Sequence, residues 1–167
     1  ESDELRGIIE KTLNEALDNL NAMRKTEGEK LKADLLTRAN EVERLVGEIK
    51  KRAPMVAEKY RAKITERVKT VLEGKEVDET RLLQEVALFA DKSNIDEEIT
   101  RLYSHISQFR KIIEGENAGR KLDFLVQEFN REANTICSKS NDVEVTGEAL
   151  ALKCEIEKIR EQIQNIE

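Results

Sequence analysis

The chain has 167 residues, with 29 Lys and Arg against 35 Asp and Glu, and a formal net charge of −6. Hydrophobic and charged residues each make up 38% of it, which is too polar for a thick globular core and too patterned for a disordered chain. One Pro and seven Gly argue against an all-β fold and favour long helices. No apolar run approaches the roughly 18 residues of a membrane span, and the acidic start lacks the layout of a signal peptide.

A heptad-like apolar seam runs through the first fifty residues and predicts one long helix. Its apolar positions are Leu13, Leu17, Leu20, Leu31, Leu35, Val42, Leu45 and Ile49. This spacing is typical of a helix that packs along its length against other helices. Such a helix would be about 75 Å long, more than a compact domain of this size can span, so we expect an arm or hairpin and oligomerisation.

Pro54 is the only proline and predicts a kink or short break near residues 51–54. A second helix is expected to follow it and to end before Gly74. Residues 1–74 would then form a long helical arm or coiled hairpin, and residues 75–167 a helical C-terminal domain. The expected N-capping residues in that domain are Asp78, Asn94 and Asn141. The chain is therefore predicted to be all-α, with a helical bundle and about six helices.

Three polar side chains share one face of the helix predicted after Asn94. Glu98, Arg101 and His105 follow one another at steps of three and four residues, and His105 is the only histidine. A histidine can move a proton near neutral pH or bind a metal, and Glu98 could orient it or share the ligand. The alternative is an ordinary helix surface with one ion pair and a tolerated histidine.

The helix predicted to begin at Arg120 carries an unusually polar face opposite its apolar stripe. The polar positions are Arg120, Asp123, Gln127, Arg131 and Asn134. Amide and guanidinium groups together suit the recognition of phosphates, sugars or base edges. Glu128 and Glu132, one turn apart, could hold a divalent cation through oxygen. The alternative is a buried polar network that joins helices.

A long signature lies in the same part of the chain. It reads Gly119-Arg120-Lys121-Leu122-Asp123-Phe124, Gln127-Glu128, Asn130-Arg131-Glu132-Ala133-Asn134-Thr135 and Ser138-Lys139. The signature resembles that of the C-terminal helical region of bacterial YicC-like endoribonucleases. Further agreement, which includes Glu97-Glu98 with Arg101-Leu102 and His105, extends the resemblance over nearly the whole chain.

The resemblance implies a metal-dependent endoribonuclease of the bacterial stress response or RNA turnover. RNA would be its substrate, Mn²⁺ or Mg²⁺ its cofactor and the cytoplasm its location. Family members form ring-like homo-oligomers, typically hexamers, and usually carry a further N-terminal domain of comparable size. Because this sequence is expected to lack that domain, the isolated chain should be incompletely assembled and weakly active.

The resemblance also suggests roles for individual residues. Catalysis and metal binding would fall to His105, Glu98, Glu128 and Glu132. RNA would be bound by Arg101, Arg120, Lys121, Gln127, Asn130, Arg131, Asn134 and Lys139. The acidic chain would need such a local basic patch to bind a nucleic acid. Arg24 and Glu27, which interrupt the apolar seam, would either line the same cavity or lock the arm to the body.

Two chemical routes are open for cleavage in a cavity between subunits. A bound metal could polarise the scissile phosphate or activate a water molecule, which can leave a 3′-hydroxyl. Without a metal, His105 could act as general base on a ribose 2′-hydroxyl, which leaves a cyclic phosphate.

Two other classes of protein remain open on the sequence alone. A helical adaptor could bind RNA, or deliver it to another nuclease, without cutting it. Phosphate contacts would then matter, while Glu128 and Glu132 would not. A coiled-coil interaction protein with no role in RNA metabolism is the third class, and the Asn- and Gln-rich face and the signature disfavour it.

Overall fold

The computed structural model describes residues 2–71, 78–115, 118–164 and 166, and these ranges form five α-helices and no β-strand. The helices are α1 (Ser2–Val71), α2 (Glu79–Ser93), α3 (Asp96–Ile112), α4 (Gly119–Lys139) and α5 (Val143–Ile163). The predicted all-α fold is confirmed. None of these helices is both long enough and apolar enough to span a membrane.

The middle of α1 packs with α3, α4 and α5 into a four-helix body around a hydrophobic core. The contribution of α1 is Leu35, Ala39, Val42, Leu45, Val46 and Ile49. These positions recur at the steps of three and four that give a helix one buried face. Between α3 and α4, Phe109 and Phe129 contact each other with ring centroids 5.9 Å apart. This packing fixes the rotation of both helices, and with it the polar side chains that meet beside the core.

The first part of α1 is an arm, residues 3–30, in which every side chain is exposed. The predicted arm is therefore present, but its apolar seam is not covered by any of the described residues. Leu13 is 57% exposed, whereas Leu35, which continues the same seam, is 0% exposed. The oligomerisation that the uncovered seam suggested stays a prediction.

Pro54 does not break α1, which continues as one helix to Val71. The predicted break near residues 51–54 and the separate second helix are wrong, whereas a kink within the continuous helix stays a prediction. A proline inside a helix removes one backbone hydrogen bond and crowds a preceding carbonyl, at a cost of about 3 kcal/mol. Packing on both sides of the proline offsets this cost, since Ile49 is fully buried and Ala53 and Val56 pack against the core.

The packing also departs from the predicted division at residue 74, because residues 35–49 of α1 lie in the same core as α3, α4 and α5. α2 has no buried residue and packs against α1, where Tyr60 and Phe89 stack with ring centroids 3.7 Å apart. The C-terminal part of α1 and the whole of α2 thus form a helical hairpin. Gly74, expected to follow a helix end, lies outside the described residues.

One of the three predicted N-caps is confirmed and two are displaced by one residue. Asp78 caps α2 through its side chain. Ile95, and not Asn94, occupies the N-cap position of α3, because the Asn94 side chain instead closes a turn to a backbone N–H two residues on. Asp142, and not Asn141, caps α5 by accepting hydrogen bonds from two backbone N–H groups. A carboxylate is the stronger acceptor for such groups, which explains the shift.

Candidate active site

His105 of α3 faces Glu128 and Glu132 of α4. One potential ligand atom from each of the three residues lies within 4.8 Å of the other two. Glu128 and Glu132 are one helical turn apart, which places both carboxylates on the α4 surface that meets α3. The structure thus brings together three of the four residues that the resemblance suggested for catalysis and metal binding, and we refer to these three as the His105 group.

Both ring nitrogens of His105 are shielded from solvent and have no hydrogen-bond partner within the described part of the chain. The ring lies beside Phe129, with 6.2 Å between the ring centroids. A buried polar atom without a partner raises the free energy of the fold, so a ligand that binds these nitrogens would relieve a cost. A shielded imidazole next to two carboxylates is an arrangement that can bind a metal ion or transfer a proton.

Glu132 is the buried carboxylate of the group, with 2% of its surface exposed. Arg101 on α3 supplies its countercharge, with 3.4 Å between Arg101 Nη1 and Glu132 Oε1. The same guanidinium also bonds the exposed carboxylate of Glu97 on its own helix. This pairing fits the rule that buried charges in proteins have a partner. It places Arg101, predicted to bind RNA, directly against the candidate site.

Glu128 is the more accessible carboxylate and lies where the group meets a surface groove of about 380 Å³. The groove is lined by His105, Gln108, Ile112, Arg120, Lys121, Phe124, Leu125 and Glu128. Two predicted RNA-binding residues, Arg120 and Lys121, therefore share a groove with the imidazole. Phe124 was not among the predicted site residues, although an aromatic ring on the polar face of α4 was a visible signal.

A second groove, of about 480 Å³, lies between α4 and α5. Its lining residues are Gln127, Asn130, Arg131, Asn134, Thr135 and Arg160. Four of the predicted RNA-binding residues meet here. Arg160 of α5 was missed, because nothing in the sequence indicates which residue of a distant helix packs beside α4. Arg131 connects the two grooves, since its Nη1 lies 3.8 Å from Glu128 Oε2.

Glu98 lies apart from the His105 group, two helical turns or about 10 Å earlier along α3. It is 4% exposed, and its Oε1 accepts a hydrogen bond of 2.8 Å from Lys139 Nζ. Lys139 Nζ also donates to the backbone oxygen of Asn94, at 3.1 Å. The structure therefore places these two predicted site residues in an ion pair that joins the end of α4 to the start of α3.

Arg24 and Glu27 line a third groove, of about 720 Å³, where the arm meets the end of the body. The body side of this groove includes Ile113, Leu122 and Ile166. Neither Arg24 nor Glu27 is among the lining residues of the His105 groove.

The region that contains the His105 group and both grooves beside α4 is similar to a known protein family. The family of the C-terminal region of YicC-like endoribonucleases matches residues 49–167. The chain belongs to this family. The matched region begins in the buried part of α1 and includes the His105 group and both grooves beside α4, so the resemblance that the signature indicated is confirmed.

Two curated relatives agree with the family assignment. The chain is 46% identical over 169 residues to a probable endoribonuclease YicC of Clostridioides difficile, an alignment that covers 100% of this chain and 58% of the relative. It is 37% identical over 147 residues to a probable endoribonuclease YicC of Haemophilus influenzae, covering 87% of this chain and 50% of that relative. The chain therefore spans between half and three-fifths of the length of these relatives.

Proposed function

We propose that this YicC-like chain cleaves RNA internally and that the His105 group is its active site. The observation that carries the proposal is the shielded imidazole of His105, with no partner among the described residues, within 4.8 Å of two carboxylates. The names of the two relatives support the class of reaction. A role in the bacterial stress response or RNA turnover, a cytoplasmic location and a homo-oligomeric full-length protein belong to the same proposal and rest on the family resemblance.

RNA binding is assigned to the two grooves beside α4. Arg120 and Lys121 in the first groove, and Arg131 and Arg160 in the second, offer positive charge to phosphates on a chain whose net charge is −6. The amides between them can bond ribose hydroxyls and base edges. Phe124 is exposed at the first groove, where a base could stack on its ring.

The donor set of the His105 group fits Mn²⁺ or Mg²⁺, which favour carboxylate oxygens, while Mn²⁺ also accepts an imidazole nitrogen. His105, Glu128 and Glu132 would hold the ion. When bound, a divalent ion would supply a Lewis acid for a phosphate oxygen or an activated water molecule. The chain itself binds phosphates in the adjoining grooves and keeps bulk water away from the imidazole.

His105 has a second use that requires no metal. A shielded imidazole can take the proton of a ribose 2′-hydroxyl as that oxygen attacks the adjacent phosphate. This route leaves a 2′,3′-cyclic phosphate, whereas attack by water can leave a 3′-hydroxyl. The chemical nature of the new 3′ end therefore distinguishes the two versions of the proposal.

The experiment compares cleavage of a labelled structured RNA in Mn²⁺ and in EDTA by the wild type, Glu128→Gln and Glu132→Gln. Glu66→Gln, an exposed carboxylate on α1 that lines neither groove beside α4, is the matched control for the loss of one negative charge. We expect Mn²⁺-dependent cleavage that falls by about 100-fold or more in the two α4 variants and is unchanged in the control. Equal rates in all four proteins would contradict the assignment. A full-length relative is assayed in parallel, because this chain spans only 58% and 50% of the length of the two relatives.

An RNA-binding adaptor is the second candidate, and the uncovered seam of the arm favours it because that seam suits an assembly module. An adaptor would bind the RNA through the basic side chains of the grooves and leave it intact in every metal tested. Glu128→Gln and Glu132→Gln would then change neither binding nor the integrity of the RNA.

A further inference from the structure

Each carboxylate of the His105 group already has an arginine beside it. Arg101 Nη1 lies 3.4 Å from Glu132 Oε1, and Arg131 Nη1 lies 3.8 Å from Glu128 Oε2. The two guanidiniums offset much of the negative charge that would attract a divalent cation. A cation at this place is therefore close to two positive charges as well as to two negative ones, and the repulsion weakens its binding.

We infer that Arg101 and Arg131 couple the binding of metal to the binding of RNA, an inference that rests on the function proposed above. A phosphodiester group that pairs with these guanidiniums adds negative charge beside the His105 group and removes the repulsion against a cation. RNA therefore strengthens metal binding, and by thermodynamic reciprocity metal strengthens RNA binding by the same factor.

The exposure of the four charged side chains decides which of them can exchange partners. The side chains of Arg101 and Arg131 are 46% and 72% exposed, so a phosphate from solvent can reach both. Arg131 also lines the second groove, where RNA would be bound. Glu132 is buried between α3 and α4 and stays in place. The arginines are thus the partners that a phosphate can reach, whereas the carboxylates are the less exposed member of each pair, with Glu128 at 27% and Glu132 at 3%.

The test measures the affinity for Mn²⁺, and not activity, from the paramagnetic resonance signal of the free aqueous ion. Each protein is titrated alone and with a saturating 2′-O-methyl RNA oligonucleotide whose integrity is checked on a gel, and Mn²⁺ bound by the oligonucleotide alone is measured and subtracted. The proteins are the wild type, Arg101→Gln, Arg131→Gln and the matched control Arg67→Gln, an exposed arginine of α1 that lines neither groove beside α4.

The oligonucleotide should lower the Mn²⁺ dissociation constant of the wild type and of the control by about tenfold, within the usual range of coupling between two ligands. Without the oligonucleotide, Arg101→Gln and Arg131→Gln should bind Mn²⁺ several-fold more tightly than the wild type. The oligonucleotide should lower the Mn²⁺ dissociation constant of these two variants by less than half of the factor that it produces in the wild type. An unchanged wild-type dissociation constant, or the full factor in both variants, would overturn the inference.

A fifth protein, His105→Ala, separates this inference from the proposed function. If His105→Ala binds Mn²⁺ as the wild type does, the metal site is misplaced and the proposed role of the His105 group in metal binding fails. If that variant loses Mn²⁺ but the oligonucleotide leaves the wild-type affinity unchanged, only the coupling fails. Arg131→Gln keeps the test decisive should Arg101→Gln fold poorly, because Arg131 is mostly exposed.

Discussion

The interface between α3 and α4 has two acidic regions, and they differ in what their polar atoms contact. At one end, Lys139 bonds the buried carboxylate of Glu98 and the backbone oxygen of Asn94. At the other end, both nitrogens of His105 lack a partner within the described residues, and Glu128 and Glu132 lie beside it. The first region ties two helices together, although Glu98 Oε2 has no partner in the described structure. The second has donor atoms left for a ligand.

This difference teaches that helical spacing alone does not separate a structural ion pair from a reactive group. Glu98 and His105 lie on the same helix and share a face, yet one meets a lysine and the other meets two carboxylates. A positive partner offsets the charge of a carboxylate, whereas carboxylates beside an imidazole form a donor set that can hold a cation. The facing residues of α4 therefore determine the role of each position on α3.

The largest change in stability is expected from Lys139→Ala. This variant leaves the carboxylate of Glu98, which is 4% exposed, without its countercharge. Loss of one partner of a fully buried pair costs about 3–5 kcal/mol, and because Lys139 is partly exposed we expect about 2 kcal/mol. Urea unfolding measures the effect, with exposed Lys63→Ala as the control. Equal unfolding free energies for the two variants would show that the Lys139–Glu98 pair does not stabilise the packing of α3 against α4.

The carboxylate of Asp142, which caps α5 and pairs with Lys59, can be compared with the two acidic regions between α3 and α4. Asp142→Asn should lower the free energy of unfolding by about 1 kcal/mol at neutral pH. The backbone N–H of Val145, together with Lys59 and a second backbone N–H, holds the pKa of the Asp142 carboxyl below its usual range. A lowered pKa in the folded state stabilises the protein above the unfolded-state pKa, near about 3.9, and the stabilisation is lost as the pH falls further.

Unfolding in urea between pH 6 and pH 3 checks this expectation. The unfolding free energy of the wild type should fall more steeply toward low pH than that of Asp142→Asn. Parallel curves for the two proteins would contradict it.

The smallest change is expected from Glu98→Gln, which keeps the shape of the side chain and removes its charge. Removal of one partner costs little when the remaining charge can reach water, and the Lys139 side chain is 34% exposed, so we expect about 0.5 kcal/mol or less. Because Glu98 lies outside the His105 group, the affinity of the Glu98→Gln protein for Mn²⁺ should stay within about twofold of the wild-type affinity. A much larger loss of affinity would restore Glu98 to the ligand set that the sequence suggested.

The sequence was sufficient for the parts of the fold that depend on local pattern. The buried stripe of α1 from Leu35 to Ile49 follows from helical spacing, and the cap at Asp78 follows from side-chain chemistry. Spacing could not show that the seam is uncovered at Leu13, because the same pattern describes a helix with or without a partner. The continuity of α1 through Pro54 depends on tertiary packing, which a local rule for proline does not contain.

The candidate site was predictable in part. Glu128 and Glu132 stand out by their spacing, and the family signature joins them to His105. The separation of Glu98 from this group required the position of Lys139, a contact across 41 residues. Arg160 likewise enters the second groove only through the packing of α5 beside α4. Long-range contacts of this kind depend on how the helices pack, and no short motif encodes them.

The most direct test of the central claim is the rate of RNA cleavage by His105→Ala and His105→Asn relative to the wild type, with urea unfolding as the control for folding. Removal of a catalytic imidazole or metal ligand should lower the rate by about 100-fold or more. The unfolding free energy should stay within about 1 kcal/mol, because the ring nitrogens make no hydrogen bond in the described structure. Cleavage at the wild-type rate by either folded variant would contradict the placement of the active site at His105.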